Sequence, residues 1–178
     1  PLEEDKQTAT EETESSEETT DKEEANADEA DSDEEEAAES EADEAEAELE
    51  AAIEVENDLR SEIVTYALQF VGNRYKYGGT NPNTGVDCSG FTSYVMRHAA
   101  EVELPHSSGG QSRMGRQVSS SEMRPGDIIC YGSGKRINHV ALYIGNGQIV
   151  HASTERTGIK VSRWNYRTPV RIVNVLGD

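Results

Sequence analysis

The chain has 178 residues and a formal net charge of −20 at pH 7. The charge is divided: residues 1–59 hold 28 acidic side chains and 2 lysines, a net of −26, whereas residues 60–178 hold 14 basic and 8 acidic ones, a net of +6. No stretch approaches the roughly 18 apolar residues of a membrane span, the two cysteines and four histidines form no close metal-binding set, and the dispersed basic residues come with neither a phosphate-cradling loop nor a nucleic-acid motif.

Residues 1–57 are low-complexity Glu, Ala, Ser, Thr and Asp without an aromatic side chain. Such a segment buries too little apolar surface to offset chain entropy, so a disordered acidic leader is expected. Residues 42–55 contain helix-forming Ala, Glu and Leu, but repulsion between like charges argues against a stable isolated helix there. Residues 58–178 have the size of one domain with one modest core. Asn57 or Asp58 is expected to cap a helix running to about residue 71, with Leu59, Ile63, Tyr66, Ala67 and Phe70 at helical spacing and Gly72 at the stop.

Residues 73–87 read as irregular, and a second helix follows over about 89–100, turning Phe91, Val95 and either His98 or Ala99 to the core. A loop with a short helical turn near Gln111 leads to the turn Arg124-Pro125-Gly126-Asp127. Ile128-Ile129-Cys130-Tyr131 reads as a buried strand, which makes Cys130 a core residue rather than a disulfide partner of Cys88. Residues 139–144 and 148–152 form a hairpin around Asn146-Gly147, and residues 159–161 and 170–175 are two more strands. Helices first and an antiparallel sheet later is an α+β order.

Cys88 stands at or near the start of the second helix, where backbone N–H groups and the helix dipole favour an anion. A thiol attacks a carbonyl as thiolate, usually beside an imidazole that a third polar group orients. His139 and His151 supply a base and an orienting partner, while His98 reads as structural. The same N–H groups serve as an oxyanion hole.

The ordered segments Tyr75-Lys76-Tyr77-Gly78-Gly79, Asp87-Cys88-Ser89-Gly90-Phe91, Leu104-Pro105-His106-Ser107-Ser108, Arg124-Pro125-Gly126-Asp127, His139 onward to Gly145, and His151-Ala152-Ser153 closely resemble the NlpC-type family of bacterial cell-wall peptidases. The resemblance runs from about Asp58 to the C-terminus. It implies a papain-like fold, with N-terminal helices packed on a small antiparallel sheet, and a secreted, monomeric cysteine endopeptidase that needs no cofactor. The implied substrate is the peptidoglycan stem peptide, cut at the bond from D-γ-glutamate to the diamino acid. Tyr75 is implied to face the nucleophile and donate to the oxyanion or substrate. Asp87 and Ser89 are implied to bind polar stem-peptide groups, with a helix cap as the alternative for Asp87, and His106 to line the groove. One departure is Arg74, where the family often has Pro. The rivals are an amidase or transacylase with the same triad, and a silent wall-binding module. The chain opens at Pro1 without Met, so a processed form is expected, and export to the cell wall follows from the resemblance alone.

The triad constrains the hairpin. A plain two-residue loop at Asn146-Gly147 would set Leu142 opposite His151 and place the two histidines on opposite faces. A three-residue loop, Gly145-Asn146-Gly147, or a bulge would instead set Ala141 opposite His151 and bring His139 diagonally within reach. An odd loop or a bulge is therefore expected.

Overall fold

The apolar residues at positions 59, 63, 66, 67 and 70 anchor the first helix. In the computed structural model, which describes residues 32–178, this is α1 (Ser32–Leu68). Ile63, Ala67 and Phe70 are buried, and Leu59 and Tyr66 pack against the same core. After Leu68 two tight turns, Phe70 N–H to Ala67 O and Val71 N–H to Leu68 O, wind the chain down to Gly72, whose φ is +94°. The expected stop is thus reached a few residues early.

The expected start is different. Asn57 and Asp58 lie inside α1 rather than capping it, and the leader-to-domain boundary at 57/58 falls within a continuous helix. Once the buried turns around Ile63 have supplied a nucleus, propagation adds one hydrogen bond per residue fixed. The Ala, Glu and Leu of residues 42–55 offer no residue that would stop it. Disorder was expected across 1–57. Residues 32–57 are instead helical, and the part of that expectation on residues 1–31 lies outside the described residues. The compact unit that holds the site spans Glu44–Asp178. Leu49, Ile53 and Val55 are exposed on it. Residues 41–55 are all exposed, and the expected cost in stability of deleting residues 1–55 is within about 0.5 kcal/mol. Thermal unfolding of the shortened chain checks this; a large fall in the midpoint would show that the segment is docked.

A short ribbon of β1 (Thr80–Asn81) and β2 (Gly85–Val86) leads into α2 (Cys88–Ala100). The Asp87 carboxylate caps α2 by accepting from Gly90 N–H at 2.7 Å, and Glu101 ends it in the left-handed conformation. Phe91, Val95 and Met96 are buried, Ala99 is half-buried against the core, and His98 stays exposed, stacked on Tyr94. The one-turn α3 (Ser108–Gln111) follows near the expected position. Strands β3 (Arg116–Gln117), β4 (Ile128–Ser133), β5 (Arg136–Gly145), β6 (Gln148–Thr154), β7 (Gly158–Arg163) and β8 (Pro169–Asn174) form one sheet in the order β3-β8-β4-β5-β6-β7, with every named pairing antiparallel.

The sheet is covered on both faces. Ile128, Cys130, Val140, Leu142, Val150 and Val173 join the core shared with α1 and α2. The alternate residues Ile129, Tyr131, Ala141, Tyr143, Ile149 and Ile172 form a second cluster with Val118, flanked by Met123 and Trp164. Burial on both faces explains why β4 and β5 read as continuous apolar runs rather than alternating ones. Cys130 is fully buried and Cys88 is a free thiol, as the strand reading expected.

Candidate active site

Cys88 is the first residue of α2, and the local sequence explains its placement. Gly90 lets the helix start press against the preceding turn, because a Cβ there would lie 2.2 Å from the Gly79 carbonyl oxygen. Gln111 steadies the same turn from α3: its amide donates to the carbonyls of Ser89 and Pro105, each at 2.9 Å, and to Ser93 Oγ. The sulfur opens into a cleft of roughly 510 Å³, in the range of small-molecule sites, that Tyr75, Asn138, His139, Tyr166 and Arg167 also line. A larger hollow over α1, lined by Asp58, Glu62 and Tyr66 among others, has neither a cysteine nor a histidine in its lining and carries no chemistry of this kind.

The hairpin has the bulge that the two histidines require. Gly145 pairs with Gln148 around Asn146-Gly147, both at positive φ, while Tyr143 pairs with Ile149 and Leu142 with Val150, so Ile144 is the extra residue. The loop itself has two residues, as the Asn-Gly pair favours, and the bulge restores the register that a plain two-residue hairpin would lose. His139 and His151 consequently share a face, and His139 Nε2 lies 2.7 Å from His151 Nδ1. A second bulge, where Tyr131 pairs with His139 but Gly132 pairs with Ile137, leaves Asn138 unpaired beside the cleft. His151 Nε2 in turn meets Ser162 Oγ at 2.9 Å, a contact from β7 that no motif in the sequence marked. With its Nε2 engaged, His139 has Nδ1 left for the thiol.

The remaining residues expected at the site separate into two groups. Tyr75 lines the cleft with Cys88 and His139. Asp87, Ser89 and His106 form a cluster of their own at the start of α2: besides capping the helix, Asp87 accepts from Gly78 N–H at 3.1 Å and pairs with His106 Nε2 at 2.8 Å. Ser89 is buried and its hydroxyl points to Asp87, so it does not line the cleft. Of the two readings of Asp87, the cap is the one with a hydrogen bond to it. Asn138, Ser153, Thr154, Tyr166 and Arg167 were not anticipated at the cleft. They arrive by tertiary folding from strand ends and a loop, with no local pattern to announce them.

The electrostatics correct one expectation. A helix start should lower the Cys88 thiol pKa, yet burial raises it, the Asp87 carboxylate adds to that, and the N–H groups of Val140, Ser89 and Cys88 offset only part. Burial, then the positive charge of Arg167, pushes His139 down to about 4, and burial together with His139 lowers His151 as well. Both directions favour the neutral thiol and the neutral imidazole over the charged pair. Both rings have ordinary values near 6.5 once unfolded, so the unfolded chain binds more protons between about 6.5 and about 4. The stability tied to these rings is fully present above pH 6.5 and is lost as pH falls through that window. The unfolding midpoint should drop from pH 7 to pH 5, and less steeply in His139→Gln; equal slopes would assign the acid sensitivity to other groups.

Among the described residues no three His, Cys, Asp or Glu side chains come together as a metal site, and no helix is long and apolar enough to cross a membrane. A cysteine at a helix start facing a sheet-borne histidine, with helices packed on an antiparallel sheet, is the layout of the papain-like class. The chain belongs to the NlpC/P60 family, whose profile matches residues 72–172. It is 41% identical over 108 residues to the murein DD-endopeptidase MepS/murein LD-carboxypeptidase of Escherichia coli K12, covering 61% of this chain and 56% of that protein. It is 42% identical over 98 residues to the probable endopeptidase p60 of Listeria seeligeri, covering 55% of this chain and 18% of that one. The chain therefore spans little more than half the length of one of these relatives and under a fifth of the other. Among solved structures, the NlpC/p60 domain of the peptidoglycan hydrolase SagA superposes with a TM-score of 0.60 at 32% identity, covering 65% of this chain and 97% of that domain. RipB of Mycobacterium tuberculosis does so with a TM-score of 0.61 at 28% identity, covering 68% and 67%.

Proposed function

We propose that this chain is a cysteine endopeptidase of peptidoglycan stem peptides, working outside the cytoplasmic membrane through Cys88, His139 and His151. The observation that carries the reading is the 2.7 Å contact between His139 and His151 on a face that opens to Cys88. His139 Nδ1 takes the thiol proton as Cys88 Sγ attacks the scissile carbonyl, so the ion pair forms during attack rather than at rest. The developing imidazolium passes its Nε2–H to a hydrogen bond with His151 Nδ1, and His151 Nε2–H is held by Ser162. N–H groups at the start of α2, with the Tyr75 hydroxyl, receive the oxyanion. His139 then protonates the leaving amine, which departs and leaves a thioester. Water, deprotonated by His139, hydrolyses that thioester and frees the carboxylate and the thiol.

The proposed bond joins D-γ-glutamate to the diamino acid. The name of the Escherichia coli relative supports a second reading, in which D-alanyl cross-links are cut. Digestion of purified peptidoglycan followed by mass spectrometry decides between them. New amino ends on the diamino acid α-carbon with tripeptide loss support the first, loss of cross-linked dimers supports the second, and release of intact stems from the sugar would make the chain an amidase. Binding to the wall without any cleavage, under reducing conditions, would overturn the enzymatic reading.

A further inference from the structure

We propose that Arg167 is a specificity-determining residue of the cleft, its guanidinium receiving a free carboxylate of the substrate beside the bond that Cys88 attacks. The proposal deepens the peptidase reading above and rests on it for the identity of the substrate, though not for the carboxylate chemistry. Arg167 follows β7 in the chain, half-buried, and is the one permanently charged residue among those lining the cleft with Cys88 and His139. Neutral groups hold it in place. Its Nη2 donates to Asn138 Oδ1 at 2.9 Å, and its guanidinium carbon lies 5.7 Å from the centroid of the Tyr131 ring. Among the described residues no carboxylate lies within 4.0 Å of it, unlike Arg60 and Arg124, which both pair with Asp178.

A guanidinium offers five N–H donors in a planar fork that matches a carboxylate. Among the described residues its hydrogen-bond partners are Asn138 Oδ1 and the neighbouring Tyr166 hydroxyl, which leaves donors of the fork over for a polar ligand in the cleft. His139 is faced by Arg167, Tyr131, His151 and Cys88, and the arginine charge works against the imidazolium that catalysis requires. A carboxylate bound at Arg167 offsets that charge at the moment the substrate arrives. Substrates bearing it are thereby favoured in kcat as well as in KM. A γ-linked D-glutamate keeps its α-carboxylate free, and a stem peptide carries another at its terminal D-amino acid; either supplies the required chemistry.

The test uses the full chain and two measurements. The first needs no peptide substrate: alkylation of Cys88 by iodoacetate and by iodoacetamide, compared as a ratio of rates at physiological salt in wild type, Arg167→Gln and the control Arg97→Gln, exposed in the last turn of α2 at the end away from Cys88. The ratio should fall about 10- to 100-fold in Arg167→Gln, the range of a charge-assisted hydrogen bond, and stay put in the control. The second compares kcat/KM on matched stem peptides in which either the D-glutamate α-carboxylate or the C-terminal carboxylate is amidated. One of the two amidations should reduce wild-type turnover about 10-fold or more and have little further effect in Arg167→Gln, which identifies the carboxylate; Arg167→Lys should recover part of the preference. A ratio that falls while no stem peptide is cut would sink the proposed function and leave the carboxylate role standing. An unchanged alkylation ratio, or amidation effects equal in wild type and Arg167→Gln, would overturn the role of Arg167.

Discussion

Cys88→Ala is expected to lower hydrolysis of stem peptides by about 10⁴-fold or more, the scale on which removal of a covalent nucleophile acts when the rest of the site survives. The fold should survive. Asp87 still caps α2, Gly90 still meets Gly79, and Gln111 still holds the Ser89 carbonyl. The thiol is only half-buried, so the change in stability stays near the small values of sites away from the core. A chemical readout runs alongside. Native wild type should take up one equivalent of iodoacetamide and Cys88→Ala none, because Cys130 is fully buried with its thiol pushed up to about 12. Full activity in Cys88→Ala, with contaminating enzyme excluded, would remove the cysteine from the mechanism and leave the histidine pair without a nucleophile.

Arg60→Leu is expected to destabilise the domain by about 3–5 kcal/mol, the cost of leaving a buried charge without its partner. Arg60 is 3% exposed on α1, and its guanidinium joins three parts of the chain. It donates to Asp127 Oδ1 at 3.1 Å, to the Pro125 carbonyl at 2.7 Å and to the C-terminal residue Asp178. The two carboxylates respond differently. Burial holds Asp127 above its ordinary value despite the pairing, whereas at Asp178 burial also raises the value but Arg60, Asn174 and Arg124 together outweigh it and bring it to about 2. Asp127 is therefore the group that suffers when Arg60 goes. For a domain of this size the unfolding midpoint should fall by about 10 °C or more. The double variant Arg60→Leu, Asp127→Asn should recover much of that, since the orphaned charge is then absent. Additive losses in the double variant would show that the arginine acts through packing alone.

Several features were legible because short-range rules govern them. Helical spacing from Leu59 to Phe70 pointed to the buried face of α1, and a capping residue followed by Cys-Ser-Gly marked the start of α2. The apolar run of β4 announced a buried strand, and those of β5 and β6 a hairpin. Even the hairpin irregularity was deducible, because side-chain alternation lets two histidines meet only in one register. What was derived was the need for a bulge; its location at Ile144, beside an ordinary two-residue turn, came from the folded sheet.

The upstream extent of α1 was misjudged because repulsion among exposed acids is a weak local penalty. A helix already nucleated by buried turns grows past it, and a sequence window that omits those turns cannot include their effect. The Cys88 pKa was misjudged for a related reason: the helix start is local, but the burial that outweighs it is contributed by residues distant in sequence. Ser162 behind His151, and Asn138 and Arg167 beside the thiol, come from β7, a second bulge in β5 and the segment before β8. By itself the sequence determined the α+β order and singled out Cys88, His139 and His151 as the candidate catalytic set, because each rests on local chemistry, motif spacing or periodicity. Only the tertiary structure decided which polar groups surround them and how far burial shifts their charge, because both depend on the packing of strands far apart in the chain.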